Sequence, residues 1–279
     1  MIREDFFDIK GEKFYRRTWV PYDTEIIANL VLIHGYGEHC ARYDYFCNKL
    51  NSSGIRVFSY DQRGFGRSPG KRGWIDNFDL LLSDLDSFVS LVSAEFNLKP
   101  AFIMGHSMGG MVLARYAETR ENLPFKGLIF SSPFLAINQD VPKFLISISG
   151  IIAKILPFLP VSKVDNTGLS KDPEVVKKAD EDPLCYHKSV KAWTGNIFIK
   201  VINQIEADMK KISLPALILH GKKDRIVPYS GSVNLYQNIS SKDKTLELFE
   251  EGFHELWNDY EKEDFISKVT SWIRERIYL

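Results

Sequence analysis

The stretch that most constrains this chain is 101–117, AFIMGHSMGGMVLARYA. Pro100 ends whatever precedes it, and 101–104 is an apolar run of the length of a buried strand. Gly105-His106-Ser107-Met108-Gly109 comes next, then Gly110 and apolar residues at helical spacing over 111–116. A strand that turns sharply into a helix through G-x-S-x-G holds its serine in a strained backbone conformation. The residues two before and two after that serine must then be tiny, which accounts for Gly105 and Gly109. The expected product is a Ser107 hydroxyl raised at the carboxyl end of a strand. The first amides of the following helix would point at any anion formed beside it. The same five residues also arise by chance in glycine-bearing turns, so the chemistry rests on a matching acid and base elsewhere.

The flanking sequence supplies the positions where these would stand. Residues 6–20 alternate around Lys10-Gly11, as an edge hairpin does. The run 30–33 is apolar throughout, as a strand covered on both faces should be, and ends in His34-Gly35-Tyr36-Gly37. A helix over 43–51, a strand over 55–60 and a polar, glycine-rich turn over 61–68 follow. Leu81, Leu85, Phe88, Val89 and Val92 mark one helical face, and 127–130 is the strand after the serine unit. This order predicts a mostly parallel sheet flanked by helices, with its chemistry at the carboxyl edge.

Between 133 and 213 no strand is evident. The stretch 141–159, VPKFLISISGIIAKILPFL, reads as one very apolar amphipathic helix closed by Pro157 and Pro160, with further helices over 172–180 and 195–209. Strands resume at 216–220 and 245–249, with a helix around Val233 and Leu235 between them. Phe265, Ile266, Val269, Trp272, Ile273 and Ile277 mark a last helix. The expected organisation is a core of 1–132 and 214–279, with a helical lid of 133–213 inserted before the last strands and lying over the site.

Asp224 falls in the loop after 216–220, and His254 in the loop after 245–249. The order serine, acid, histidine, each at a strand's carboxyl end, lets the three converge. His254 would take the proton of Ser107 and return it to the leaving group, and Asp224 would hold the imidazole in the right tautomer. Two amides are needed for the oxyanion. Met108 follows the nucleophile, and Tyr36 sits in the loop after 30–33. A loop aspartate is usually a turn former and a lone histidine usually structural; their joint occurrence with GHSMGG and HGYG decides. The other histidines lack the required position: His34 and His106 would brace the glycine loops, His220 ends a strand, and His39 and His187 are not at strand ends.

Taken together, HGYGEHCARY at 34–43, DQRGFGRS at 61–68, GHSMGG at 105–110, HGKKDRIVP at 220–228 and GFHE at 252–255 resemble the α/β-hydrolase superfamily, and in it the monoacylglycerol lipase and lysophospholipase branch. DPL at 182–184 is similar too. GEHxxRY is the most specific of these signals. The resemblance implies the triad Ser107, Asp224 and His254, with oxyanion amides from Tyr36 and Met108. It also implies that Glu38 and Arg42 order the loop at the polar end of the pocket, although a Glu and Arg four apart also make a plain surface pair.

The function expected is a serine carboxylic ester hydrolase cleaving single-acyl-chain lipids through an acyl-enzyme on Ser107. A serine aminopeptidase, an acyltransferase or a short-chain carboxylesterase on the same triad, and a non-catalytic binding member, stay open. A peptidase would need an acidic cluster in the lid, for which Glu174, Asp180, Glu181 and Asp182 are the candidates. Ile148 and Ile152 are expected in the acyl-chain wall, and the surplus apolar surface of 141–159, with Lys143 and Lys154 beside it, suggests peripheral membrane contact. Lys plus Arg equals Asp plus Glu at 36 each, with no basic stripe, so no nucleic-acid partner is expected. No spaced ligand set suggests a metal, and no cofactor is implied. Three cysteines, an odd count without CxxC, point to a reducing, cytoplasmic compartment, as does an N-terminus without a secretory pattern. No oligomeric state is legible.

Overall fold

A computed structural model of the chain describes residues 1–138 and 141–278; positions 139 and 140, in the expected lid range, and 279, in the expected core range, lie outside the described residues. Strands β1 (Ile2–Ile9) and β2 (Glu12–Trp19) pair antiparallel with Ile9 opposite Glu12. Lys10 and Gly11 both take positive φ, 53° and 86°, which matches a two-residue loop to the strand twist. Then come β3 (Ala28–Ile33), a short 3-10 turn at Cys40–Tyr43, α1 (Asp44–Ser52), β4 (Ile55–Tyr60), α2 (Phe78–Glu95), β5 (Ala101–His106), α3 (Met108–Thr119) and β6 (Gly127–Ser131). The inserted segment carries α4 (Lys143–Ile155), β7 (Pro160–Ser162), α5 (Pro173–Glu181), β8 (Val190–Lys191) and α6 (Ala192–Asp208). The sheet then resumes with β9 (Ala216–Gly221), α7 (Ser230–Asn238), β10 (Lys244–Phe249) and α8 (Lys262–Glu275).

The eight-stranded sheet runs β1-β2-β4-β3-β5-β6-β9-β10. The edge hairpin joins β4 antiparallel, and every pairing from β4 to β10 is parallel. This is the α/β-hydrolase arrangement. Alternation explains the apolar runs: Val31, Ile33 and Ile103 enter one core cluster with α2 and α3, and Leu30, Leu32, Phe102 and Met104 enter the other with α1 and α8. Because the crossovers all run on parallel strands, β3, β5, β9 and β10 end at one edge, and the loops after them carry Tyr36, Ser107, Asp224 and His254.

The inserted segment departs from the sequence reading in two ways. The 141–159 helix is shorter, Lys143–Ile155. Leu156 leaves the helix at φ −128°, ψ 61°, because the residue before a proline avoids helical backbone and Pro157 follows. The segment also holds a small antiparallel ribbon, β7 with β8, in which Ser162 opposes Val190. Three- and two-residue strands are too short to show alternation in sequence. Asp172 caps α5 by accepting from the Glu174 amide at 3.0 Å. Helix α6 anchors the insertion: Ile197, Phe198, Val201, Ile202 and Ile205 are buried in the cluster that holds α3. By contrast, α4 buries only Ala153.

Candidate active site

Ser107 stands between β5 and α3 at φ 53°, ψ −118°, a left-handed region that non-glycine residues rarely occupy. The turn is possible because its glycines carry no side chain. A Cβ on Gly105 would lie 2.2 Å from the Gly109 carbonyl oxygen, and one on Gly109 would lie 2.2 Å from the Ile33 carbonyl oxygen. The second contact packs the first turn of α3 against the end of β3. The turn is tied to its neighbours: the Ser107 amide donates to the Ser131 carbonyl at 3.0 Å, and the Phe134 amide donates to the Ser107 carbonyl at 2.9 Å. Met108 opens α3, where the first amides have no partner within the helix.

Asp224 and His254 meet as their chain positions predict. His254 Nδ1 lies 2.7 Å from Asp224 Oδ2. Asp224 Oδ1 accepts from the Ile226 and Val227 amides at 2.8 and 2.9 Å, so the carboxylate is fixed by its own loop. Burial acts to raise the Asp224 carboxyl, but the His254 charge and the hydrogen bonds from His220 and His254 outweigh it and hold the group well below the usual carboxylate range. Burial acts to lower His254; the Asp224 charge and hydrogen bond, with Glu255 and Glu38 behind them, reverse this and raise it. No hydrogen bond joins Ser107 Oγ to His254 among the described residues, although both line one cavity. Catalytic contacts of this kind tighten when substrate is held. An arrangement of a raised serine, a buried imidazole and a fixed carboxylate can activate a hydroxyl for acyl transfer.

The loop after β3 is braced from three sides. Glu38, buried, accepts from the Gly35 amide at 2.6 Å and the Tyr43 hydroxyl at 2.8 Å. Arg42 contacts Glu38 at 3.2 Å and grips Glu255 through two bonds of 2.5 and 2.9 Å. Burial pushes the Glu38 carboxyl up against the pull of Arg42. The DQRGFGRS turn supplies the second brace. Asp61 accepts from the Cys40 amide at 2.9 Å, the Gln62 amide donates to His34 Nε2 at 2.8 Å, and the Gln62 side chain donates to the His34 carbonyl at 2.6 Å. His34 Nδ1 faces the Gly35 carbonyl at 2.8 Å, so it carries the hydrogen. The third brace is the Tyr36 side chain, whose hydroxyl donates to the Gly73 carbonyl at 2.7 Å while its ring packs on Phe65, Tyr186 and Phe198. Thus Glu38 and Arg42 are not a surface pair. Glu255 is a site residue that the sequence does not single out, because its partner Arg42 lies 213 positions away.

A cavity of about 760 Å³ opens over Ser107 and His254. Its near end is lined by Gly35, Tyr36, Glu38, Arg42 and His106, and its far wall by residues of the insertion, among them Leu145, Ile146, Ile152, Phe198 and Ile199. Ile152 is in this wall and Ile148, expected there too, is not. At about 100° per residue, Leu145, Ser149 and Ile152 fall in one inward sector. Ile148 falls beyond it, on the side of Phe144, Ile151 and Ile155, which all face solvent. The acidic residues Glu174, Asp180, Glu181 and Asp182 do not line the cavity; Asp182 instead binds His39 Nε2 at 2.8 Å and caps the Leu184 amide.

Comparison with known proteins agrees with this geometry. The sequence family described as "Serine aminopeptidase, S33" matches residues 24–261. The monoacylglycerol lipase of Mycolicibacterium smegmatis is 30% identical over 268 residues, 96% of this chain and 95% of that one. The monoglyceride lipase of Rattus norvegicus is 30% identical over 270 residues, 96% of this chain and 88% of that one. The crystal structure of the Paleococcus ferrophilus monoacylglycerol lipase superposes with a TM-score of 0.83 at 32% identity, covering 94% of this chain and 99% of that one. The chain belongs to the family described as "Serine aminopeptidase, S33", with the α/β-hydrolase fold, and is similar over nearly its whole length to these monoacylglycerol lipases.

Proposed function

We propose that this protein is a serine ester hydrolase that cleaves single-acyl-chain lipids, monoacylglycerols first among them. The observation that carries the reading is the cavity itself: Ser107 and His254 open into a space whose polar end is the Glu38–Arg42 loop and whose far wall is mostly apolar, with Ser149 and Asn196 among Leu145, Ile146, Ile152, Phe198 and Ile199. Ser107 attacks the ester carbonyl, and His254, oriented by Asp224, takes its proton and returns it to the departing alcohol. The Tyr36 and Met108 amides hold the oxyanion. Water then repeats the sequence on the acyl-enzyme, releasing the fatty acid. The acyl chain lies against Leu145, Ile152, Phe198 and Ile199, each buried CH₂ contributing about 0.8 kcal/mol.

Residues 133–213 act as the lid over this chemistry, with α6 as its fixed base and α4 as its outer wall. Phe144, Ile151, Ile155, Leu156 and Phe158 are all more than half exposed, apolar surface of the kind that rests on a lipid layer, with Lys143 and Lys154 in the same helix as the first three to meet head groups. No helix among the described residues is long and apolar enough to cross a membrane. All three cysteines are free and buried, which supports a reducing compartment. The aminopeptidase reading lacks an acceptor for the substrate amine. Of the carboxylates lining the cavity, Glu38 and Glu255 are held by Arg42, and Asp165 caps a turn at the exposed rim.

The test is a panel of monoacylglycerols of rising chain length, short esters and aminoacyl amides. Wild type should favour medium and long acyl chains, label at Ser107 with a fluorophosphonate, and lose both properties in Ser107→Ala. Ile152→Asp should flatten the chain-length profile, whereas Ile151→Asp should spare it and weaken vesicle co-sedimentation. A preference for acetyl esters or for amides over long-chain esters would overturn the reading.

A further inference from the structure

His220 is the penultimate residue of β9, at the same sheet edge and fully buried, and the chemistry above does not use it. Both its ring nitrogens are engaged. Nε2 lies 3.0 Å from Asp224 Oδ2 and 3.1 Å from the Val227 carbonyl oxygen. Both of those oxygens only accept, so Nε2 carries the hydrogen. In the neutral imidazole Nδ1 then offers its lone pair to the Ser232 hydroxyl, 2.7 Å away on α7 and equally buried. The ring is held from both sides, by a hydroxyl behind it and two acceptors in front of it.

Asp224 Oδ2 therefore receives two imidazole N–H groups, His254 at 2.7 Å and His220 at 3.0 Å, while Oδ1 is filled by two backbone amides. We propose that His220 is a positioning residue for the hydrolytic reaction: by sharing Oδ2 with His254 it stops the carboxylate from rotating and moderates its hold on the His254 proton. This inference rests on the triad reading given above. A hydrogen bond donated to a carboxylate stabilises its charge, and the charge left on Oδ2 is what favours the His254 imidazolium. A base held too firmly in its charged form cannot accept the Ser107 proton near neutral pH. Without His220, the pull of Asp224 on His254 would be unshared, and the imidazole would stay protonated to higher pH.

The other groups facing His254 do not substitute for this control. His106, at the end of β5 with its ring centroid 4.7 Å from that of His254, is kept neutral, chiefly by burial and then by the His254 charge. Glu255, next in the chain, and Glu38, from the loop after β3, both favour the charged imidazole, and both are already gripped by Arg42.

The experiment is the pH profile of kcat/KM for a soluble p-nitrophenyl ester, with active sites counted by fluorophosphonate. His220→Leu should move the acidic limb upward by about 0.5–1 pH unit, since losing one donor changes the carboxylate's pull by that order. It should lower kcat at pH 7 about tenfold with little change in KM. His220→Gln, whose amide can donate to Oδ2 and accept from Ser232, should bring the limb back toward wild type. An unmoved limb in a folded His220→Leu, or a His220→Gln profile no different from it, overturns the proposal. If His220→Leu does not fold, Ser232→Ala releases the ring from behind, and a limb that stays in place there overturns it equally. Failure of the triad reading would look different: Ser107→Ala would keep its activity and its label, which no result at His220 predicts.

Discussion

Replacing Arg42 with methionine tests the loop that carries Tyr36, the proposed donor of one oxyanion amide. The substitution keeps much of the side chain's bulk and removes the guanidinium that faces Glu38 and Glu255. The three side chains are 10%, 6% and 1% exposed, so this is a buried ion cluster and not a surface pair. Breaking such a cluster by removing one partner costs about 3–5 kcal/mol, because the carboxylates left behind are uncompensated. For a chain of this size that corresponds to a Tm fall of roughly 10 °C. The loss should depend on pH. Burial already raises the folded-state Glu38 carboxyl above its ordinary value, and losing Arg42 raises it further. A raised carboxyl binds more protons in the folded state than in the unfolded one across the interval between the two values, so stability falls as pH rises through that interval. The gap between wild type and Arg42→Met should therefore be widest at pH 8 and narrow on acidification. Adding Glu255→Gln should return part of the loss by removing one orphaned charge. Because Glu38 also accepts from the Gly35 amide, kcat should fall alongside. Thermal melts by circular dichroism from pH 5 to pH 8 make the measurement. An Arg42→Met protein melting within about 2 °C of wild type at pH 8, with the same pH dependence, would refute the argument.

Two further substitutions probe the site directly. Asp224→Asn should fold but lose about 10⁴ in kcat, because an amide nitrogen placed toward His254 Nδ1 forces the wrong tautomer; near-wild-type turnover on a titrated active-site basis would place the acid elsewhere. Gly109→Ala sets a Cβ 2.2 Å from the Ile33 carbonyl and 2.6 Å from the His34 carbonyl, so the start of α3 must move. It should lower Tm and abolish fluorophosphonate labelling at Ser107, and a soluble variant that labels at the wild-type rate would contradict the close-packing account.

Much of the fold and the proposed triad was legible because the relevant signals are local. A strand buried on both faces is apolar at every position, so 30–33 and 101–104 announce themselves, and the glycines of GHSMGG mark a turn that no larger residue allows. Asp224 could be chosen because it follows such a strand, 216–220, and His254 because it follows 245–249, a half-buried strand at the sheet edge. What stayed hidden depends on contacts that only the folded backbone brings about. Glu255 pairs with a residue 213 positions away, and His220 finds Asp224 only once the acid loop has turned back on β9. No periodicity encodes either partner.

The inserted segment shows the same limit in sharper form. Helical spacing marks 141–159 as apolar on one side, and the ordinary inference sends that side inward. Yet the apolar stripe of Phe144, Ile148, Ile151 and Ile155 lies outward, while the inward sector carries Ser149 between Leu145 and Ile152. Ser149 contacts Asn196 of α6 at 3.3 Å, so the face against the base of the segment is the more polar one. A sequence pattern reports how apolar each side of a helix is. It does not report which side meets protein and which meets another apolar medium. On the lipid reading both sides have a use, since substrate enters along one and the membrane lies against the other. The two faces must then fail separately, Ile152→Asp in the chain-length profile and Ile151→Asp in vesicle binding, and a single substitution that abolished both would mean that α4 works as one surface.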